Sequence, residues 1–281
     1  MNNLKITGQS SNINVGILFI ATGRYIIFWK EFYEACEKFF LPNCNKVYFL
    51  FTDNSDFAYE NNPNVCKVWQ DNLGWPNNTL LRFDMFLKVQ DKLKLMDYLY
   101  FINGTMLPVR EINNEIFPTK EQGLMVTLHP GCYKRSRLEY TYDENPQSTA
   151  YIPKNKGKFY FMGGFNGGTS EAFLEMSREL SKNIHQDLEK NIVALWHDES
   201  HLNHYMLDKS PLILTPMYGY PEGVPFNQEN LKEFENNYKM FIKDKNNPKY
   251  GGVNYLRGMT VFDRTIMGRT FKSLHISRKQ F

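Results

Sequence analysis

The run Val15-Gly16-Ile17-Leu18-Phe19-Ile20-Ala21 constrains this chain more than any other stretch, because it offers no polar face at all. A strand with one wet face alternates apolar and polar side chains. A run without alternation needs cover on both faces, as strands have in the parallel sheet of an α/β domain. Thr22-Gly23 breaks the run. From Tyr25 the apolar positions Phe28, Trp29, Phe32, Cys36 and Phe39 recur at helical spacing, and Lys46 to Phe51 reads as a second strand ending at Thr52-Asp53. This β-α-β order puts a ligand crevice at Ala21-Thr22-Gly23, beyond the carboxyl end of the strand. Neither GxGxxG nor GxxxxGK[ST] occurs there, so a standard dinucleotide or ATP loop is not expected.

The 281 residues, 42% apolar and 22% charged, are those of an ordinary globular protein, expected as one domain with two halves. Cys36, Cys44, Cys66 and Cys132 have neither CxxC spacing nor the density of a disulfide scaffold, so thiols in a reducing compartment are expected. No apolar run approaches the roughly 18 residues that span a bilayer, and residues 1 to 12 are too polar for a signal peptide. The net charge is +3, yet residues 264–281 alone carry five Lys/Arg and no Asp/Glu, leaving 28 basic against 30 acidic residues before them. Such a body is not built for nucleic acid.

Further along, Gly74 to Thr79 reads as a turn with a helix N-cap, followed by a helix from Leu80 to Leu95. Arg82 falls in its first turn, where the dipole disfavours a cation unless it serves an anion. Asp97 to Ile102 is the next strand, stopping at Asn103-Gly104-Thr105, and Gly123 to His129 another. Tyr140-Thr141-Tyr142 and Ala150-Tyr151-Ile152-Pro153 are aromatic-rich connections, and aromatic faces suit the apolar side of a sugar ring. Phe159 to Met162 leads into Gly163-Gly164-Phe165-Asn166-Gly167-Gly168, where missing side chains allow close approach to backbone. A helix from Ser170, its N-cap, to about Leu188 follows; Leu212 to Leu214 is a last strand, and residues 227–247 hold at most a short helix.

Trp196-His197-Asp198-Glu199-Ser200-His201-Leu202-Asn203 packs two carboxylates, two imidazoles and an indole behind apolar Ile192 to Leu195. Such a cluster belongs at the rim of a cleft, and Glu199 is the catalytic candidate. Two other readings stand beside it. His197 and His201 at i, i+4, with His204 as a third nitrogen, have the spacing of a zinc site, although Asp198 stands where the metalloprotease pattern needs Glu. Alternatively, Asp198 and Glu199 are simply acidic residues at the positive end of a helix.

Taken in order, Thr127-Leu128-His129-Pro130-Gly131, Tyr140-Thr141-Tyr142, Ala150 to Pro153, Gly163 to Gly168 and Trp196 to Asn203 resemble the family-six retaining glycosyltransferases, the group of the blood-group A and B transferases and the α1,3-galactosyltransferases. The likeness runs from about Val15 to Arg257 and, without a membrane anchor or stem, is to bacterial or phage-type members. It implies a GT-A fold, with a Rossmann-like nucleotide-binding half (about 13–105) and an acceptor and catalytic half (about 106–263) on one continuous mixed sheet. The implied reaction moves N-acetylgalactosamine or galactose from UDP to the 3-hydroxyl of a galactoside, such as a fucosylated blood-group H-like acceptor, with retention. Glu199 then matches the carboxylate that attacks the anomeric carbon or stabilises an oxocarbenium-like ion. By the same resemblance Ile20, Ala21, Thr22 and Tyr25 hold uridine, and Arg82 and Asp198 hold the donor sugar. His129, Thr141 and Trp196 meet the acceptor, and Lys245 and Arg257 close over the diphosphate.

Met162, Gly163 and Gly164 match the positions that sort the two donors, where Gly164 leaves space for a 2-acetamido group and favours UDP-N-acetylgalactosamine over UDP-galactose. Asn103-Gly104-Thr105 replaces the Asp-x-Asp that grips a divalent ion in the animal enzymes, so Asn103 and Thr105 are expected to line the donor site without a metal or other cofactor, the charge on the diphosphate being met by Lys245 and Arg257. Residues 264–281 combine cations with Met267, Phe271 and Leu274 and are expected as a basic tail that touches an anionic membrane from the cytoplasm. A zinc hydrolase built on His197, His201 and His204, or a carbohydrate-binding protein without turnover, are the competing functions.

Overall fold

The computed structural model, which describes residues 13–223 and 228–258, places the apolar run inside a sheet as β1 (Asn14–Ile20). Its side chains divide between two cores. Val15, Ile17 and Phe19 enter one hydrophobic cluster and Leu18 the other, which is why no position from Val15 to Ile20 is polar. A short 3-10 turn (Gly23–Phe28) leads to α1 (Trp29–Phe39), then to β2 (Asn45–Thr52), parallel to β1 with Ile17 opposite Tyr48. The first helix thus starts later than Tyr25, because a 3-10 turn occupies the positions before it. Lys46 at the start of β2 donates to the carbonyls of Cys36, Glu37 and Phe40, so a cation satisfies the open end of α1. β3 (Val65–Trp69), which the sequence pattern did not announce, pairs parallel to β2.

The helix expected over Leu80 to Leu95 is broken into α2 (Asn77–Leu80), α3 (Arg82–Leu87) and α4 (Gln90–Leu93). Leu81 and Val89 at the joints leave helical geometry (ψ 22 at both), and the first joint turns Arg82 into the protein. β4 (Tyr98–Ile102) and β5 (Met106–Pro108) follow, then β6 (Leu124–Leu128) and β7 (Phe161–Thr169). The glycine run from Gly163 to Gly168 is therefore a strand, not a loop. It lies antiparallel between β4 and β6, and at Gly167 a Cβ would come 2.3 Å from the Tyr100 ring and 2.5 Å from the Leu99 carbonyl. Only glycine permits that approach.

α5 (Ser170–Glu189) is capped by Thr169, whose hydroxyl accepts from the Ala172 N–H, rather than by Ser170. Ser170 instead donates to the Leu93 carbonyl and ties α5 to α4. α6 (Asp198–Tyr205) and β8 (Leu212–Leu214) complete the main sheet, whose order is β3-β2-β1-β4-β7-β6-β8. β9 (Tyr220–Pro221), α7 (Gln228–Leu231), β10 (Met240–Ile242) and α8 (Val253–Leu256) follow, and β5, β10 and β9 form a second, three-stranded sheet. Among the described residues no helix is long and apolar enough to cross a membrane, and Cys36, Cys66 and Cys132 are free thiols. The 264–281 segment lies outside the described residues.

Candidate active site

α6 starts abruptly. Its preceding residue, His197, sits at φ 54 and ψ −126, in a region that side chains other than glycine's avoid, and the two carboxylates come directly after it. Ser200 accepts from the Trp196 N–H, which fixes the entry to the helix. Asn203, one turn on, is buried and spends its whole amide: its oxygen accepts from the Phe161 N–H, and its nitrogen donates to the carbonyls of Phe161 and Glu199. That clamp sets α6 against the start of β7.

Both oxygens of Glu199 are consequently held. Oε2 accepts from the Gly163 N–H at 2.7 Å and Oε1 from the Tyr160 hydroxyl at 3.0 Å. A Cβ on Gly163 would lie 3.0 Å from Asp198 Oδ2 and 3.3 Å from Glu199 Cβ, so a glycine here lets the carboxylates approach the strand. Beside them Arg82 Nε lies 3.1 Å from Asp198 Oδ2, Nη1 donates to the Gly163 carbonyl, and the guanidinium covers the Phe101 ring. Burial raises Glu199 above the usual carboxylate range, opposed by the Gly163 N–H, the Tyr160 hydroxyl and Arg82. Burial also pushes Asp198 up to about 7, against the pull of Arg82 and with help from the like charge of Glu199.

Arg82 also borders a cavity of about 90 Å³. Its walls include Ile20, Thr22, Tyr25, Asn103, Lys245 and Arg257, so residues far apart in the chain that the resemblance assigned to the donor come together there. Asn72, Trp75, Asn78, Thr79, Phe101, Gly104 and Leu256 line it too, and sequence reasoning had passed over all seven as site residues. Arg257 stands 4.5 Å over the Trp75 ring, whose other neighbour is the His197 imidazole, edge-on at 5.1 Å. Burial, then the neighbouring Arg257 charge, lower Lys245 to about 8, with Asp244 opposing.

Two expected donor residues do not reach this cavity. Ala21 is fully buried, with its N–H bonded to Phe51 and its carbonyl to Thr52, because it continues the pairing of β1 with β2 in the interior of the sheet. Thr105 is buried as well, and its carbonyl is taken by the Lys243 N–H. Met162 is buried under the site, while Gly164 is half-buried and accepts from the Asn103 N–H. The position of a Cβ on Gly164 lies 3.1 Å from Met106 Sδ and 3.2 Å from Met162 Cε, so two thioethers already occupy the space that glycine was expected to leave open.

On the other side of Glu199, Tyr160 joins Tyr142 and Ile152 in a small core with Tyr140 and Trp196 against it. His129 meets the Tyr160 ring edge-on at 5.7 Å, and Thr141 offers its carbonyl to the Tyr160 hydroxyl at 3.5 Å. The three residues expected at the acceptor therefore gather round one tyrosine. His129 Nδ1 accepts from the Gly131 N–H, which puts the proton of its neutral ring on Nε2, and burial lowers its pKa to about 4. Tyr160 itself was missed, since Phe159-Tyr160-Phe161 reads as ordinary strand.

The three histidines of the zinc reading diverge. His197 precedes the helix and packs on Trp75, His201 turns its Nε2 to 3.9 Å from Asp187, and His204 donates from Nδ1 to the Tyr151 carbonyl. Among the described residues no three His, Cys, Asp or Glu side chains are grouped so as to hold a metal ion. The i, i+4 spacing failed because His197 lies outside the helix.

The sequence model of glycosyltransferase family 6 matches residues 2–247. The chain belongs to that family. It is 34% identical over 238 residues to the O-antigen biosynthesis glycosyltransferase WbnI of Escherichia coli, covering 85% of this chain and 97% of that one. To the histo-blood group ABO system transferase 1 of Rattus norvegicus it is 30% identical over 215 residues, which are 74% of this chain and 61% of the relative. The globoside alpha-1,3-N-acetylgalactosaminyltransferase 1 of Mus musculus is 28% identical over 232 residues, 79% of this chain and 65% of the relative. The mixed seven-stranded sheet is accordingly the GT-A type of this family. In a glycosyltransferase, sugar donor and sugar acceptor must meet at one carbon, and here Arg82 of the cavity wall pairs with Asp198 while the adjacent Glu199 accepts from Tyr160 of the tyrosine cluster.

Proposed function

We propose that this family-six glycosyltransferase moves N-acetylgalactosamine from UDP to the 3-hydroxyl of a galactoside, a fucosylated H-like glycan among them, with retention and without a metal ion. The observation that carries this reading is the carboxylate of Glu199, fixed by the Gly163 N–H and the Tyr160 hydroxyl of the aromatic cluster and adjacent to Asp198, which pairs with Arg82 of the cation-lined cavity. A negative charge held there in advance meets the positive charge that develops at the anomeric carbon as UDP departs. The names of the relatives, an O-antigen enzyme, blood-group transferases and an alpha-1,3-N-acetylgalactosaminyltransferase, support the sugar and linkage class.

Lys245 and Arg257 supply the charge that would otherwise come from a cation on the diphosphate, and Asn103 stands at the cavity in place of a carboxylate. The cavity is well below the roughly 300–1,000 Å³ of small-molecule sites, so the segment bearing Lys245 and Arg257 moves outward to admit the donor. At Gly164, Met106 and Met162 yield more easily than a Cβ would, which keeps the 2-acetamido group admissible. The basic 264–281 tail serves peripheral contact with an anionic cytoplasmic membrane face.

Product analysis with UDP-N-acetylgalactosamine, UDP-galactose and a fucosylated galactoside tests the reading. The parent should transfer with retention and prefer the N-acetylated donor in kcat/KM, and Glu199→Gln should lose at least ~10²-fold in kcat. Sugar binding without turnover by the parent would leave a carbohydrate-binding protein instead.

A further inference from the structure

Residues 157–161 form a partition with different chemistry on its two faces. One face carries Tyr160, whose hydroxyl meets Glu199, and the ring of Tyr142, which closes over Gly157 and donates to the Phe159 carbonyl. The other face, where Phe159 and Phe161 alternate away from Tyr160, walls an open groove of about 680 Å³ that runs to the 3-10 turn Met206–Asp208 and on to Ile213. Nothing in the transfer reaction as described above uses this groove.

Its rim is cationic. Lys156, Lys158 and Lys209 line it and are exposed, and among the described residues none has a carboxylate within 4.0 Å. Asp208 is the single acidic side chain in the lining. Phe159, 37% exposed, presents an apolar ring to the same space, with Lys158 Nζ 5.2 Å from its centroid. The rim is also fixed in place: Arg137 donates to the carbonyls of Lys156 and Pro153 and lies over the Tyr142 ring. An aromatic face flanked by unpaired ammonium groups matches a sugar chain that bears negative charge, the ring taking the apolar side of a pyranose and the lysines its anions. A concave groove of this size suits a chain better than a flat bilayer.

We propose that this groove is a second carbohydrate subsite, which takes the anionic extension of an acceptor glycan, carrying carboxylate or phosphate groups, while the terminal galactoside reacts across the partition at Glu199. The proposal rests on the transferase reading for its link to catalysis, though not for binding itself. The chain enters the groove over the rim at Lys156 and Lys158, leaving the donor cavity untouched.

The test compares a short neutral galactoside with the same galactoside on a uronic acid-bearing and on a phosphate-bearing oligosaccharide, using the full chain and its Lys156→Ala/Lys158→Ala/Lys209→Ala variant. The parent should favour the charged acceptors, less so as salt is raised. The variant should raise their KM about tenfold, with KM for the neutral acceptor and the UDP-sugar held within about twofold. Which charged acceptor responds identifies the anion. Titration of the charged oligosaccharides without donor, again parent against variant, gives a second readout: weakened binding upholds the subsite even if no acceptor is ever glycosylated, which would sink only the transferase reading. Equal effects on neutral and charged acceptors, or no effect on either, overturn the proposal. So does a variant that binds charged glycans like the parent but loses binding to anionic vesicles, since the lysines would then face a membrane.

Discussion

Burial moves the pKa values of Asp198 and Lys245 toward each other, to about 7 and about 8. Below about 7 Asp198 holds a proton and the ion pair with Arg82 weakens; above about 8 Lys245 loses its charge. The kcat/KM profile for the donor should therefore be a bell with limbs near those two values, and bound UDP-sugar should shift the alkaline limb of kcat upward by stabilising the ammonium. Asp198→Asn should remove the acid limb near 7; a limb that stays in place would assign it to Glu199 instead. Stability runs the other way at Asp198. Its folded pKa lies above the usual 3.8, so the folded protein holds the extra proton between those values, and that contribution is lost as pH climbs through about 7.

At the level of elements, α6 is an eight-residue helix that carries Glu199, and its place depends on Asn203 more than on any apolar stripe. Asn203→Ala would strand the Phe161 N–H and carbonyl in a buried setting, at a cost of about 2–4 kcal/mol of unfolding free energy in urea denaturation. Loss of kcat beyond the loss of folded protein should accompany it, since Glu199 would no longer be aligned with Gly163. A variant as stable as the parent would show that packing alone seats the helix. The glycines of β7 answer a similar demand: Gly163 admits the carboxylates and Gly167 admits Tyr100. A sequence pattern shows that such glycines exist, while the neighbour that each one admits comes from the strand pairing.

Across the whole molecule the cation-lined cavity is walled by segments far apart in the chain, Ile20 to Tyr25 and Lys245 to Arg257. Arg24 donates to the Tyr255 carbonyl and lies 3.9 Å over its ring, and Arg257 covers Trp75. With fixed cations at that seam, transfer should proceed in excess EDTA at nearly its rate in manganese, and Lys245→Ala or Arg257→Ala should raise the donor KM or cut kcat by ~10²-fold or more. Manganese activation abolished by chelation would require a carboxylate elsewhere on the diphosphate. The 264–281 segment is tested separately: its deletion should reduce sedimentation with anionic liposomes and leave transfer to a soluble acceptor intact.

The amino-acid order alone settled what local physics can settle. A run with no polar position had to be a strand covered on both faces, the helical spacing after it had to give an α/β layer, and a dense polar cluster behind Ile192 to Leu195 marked Glu199. Together with the family motifs this made the fold, and several residues that line the cation-walled cavity, legible. Only the tertiary structure decided that Tyr160 and Gly163 hold the two oxygens of Glu199, that Asn203 pins its helix, that Ala21 and Thr105 are withdrawn from the cavity and that Met106 fills the space before Gly164. It also decided that the His197 backbone leaves the helix and scatters the three imidazoles. The physical reason is separation along the chain: Arg82 meets Gly163 across 81 residues, and such contacts follow from β7 lying antiparallel between β4 and β6, a pairing that no local period of the sequence encodes.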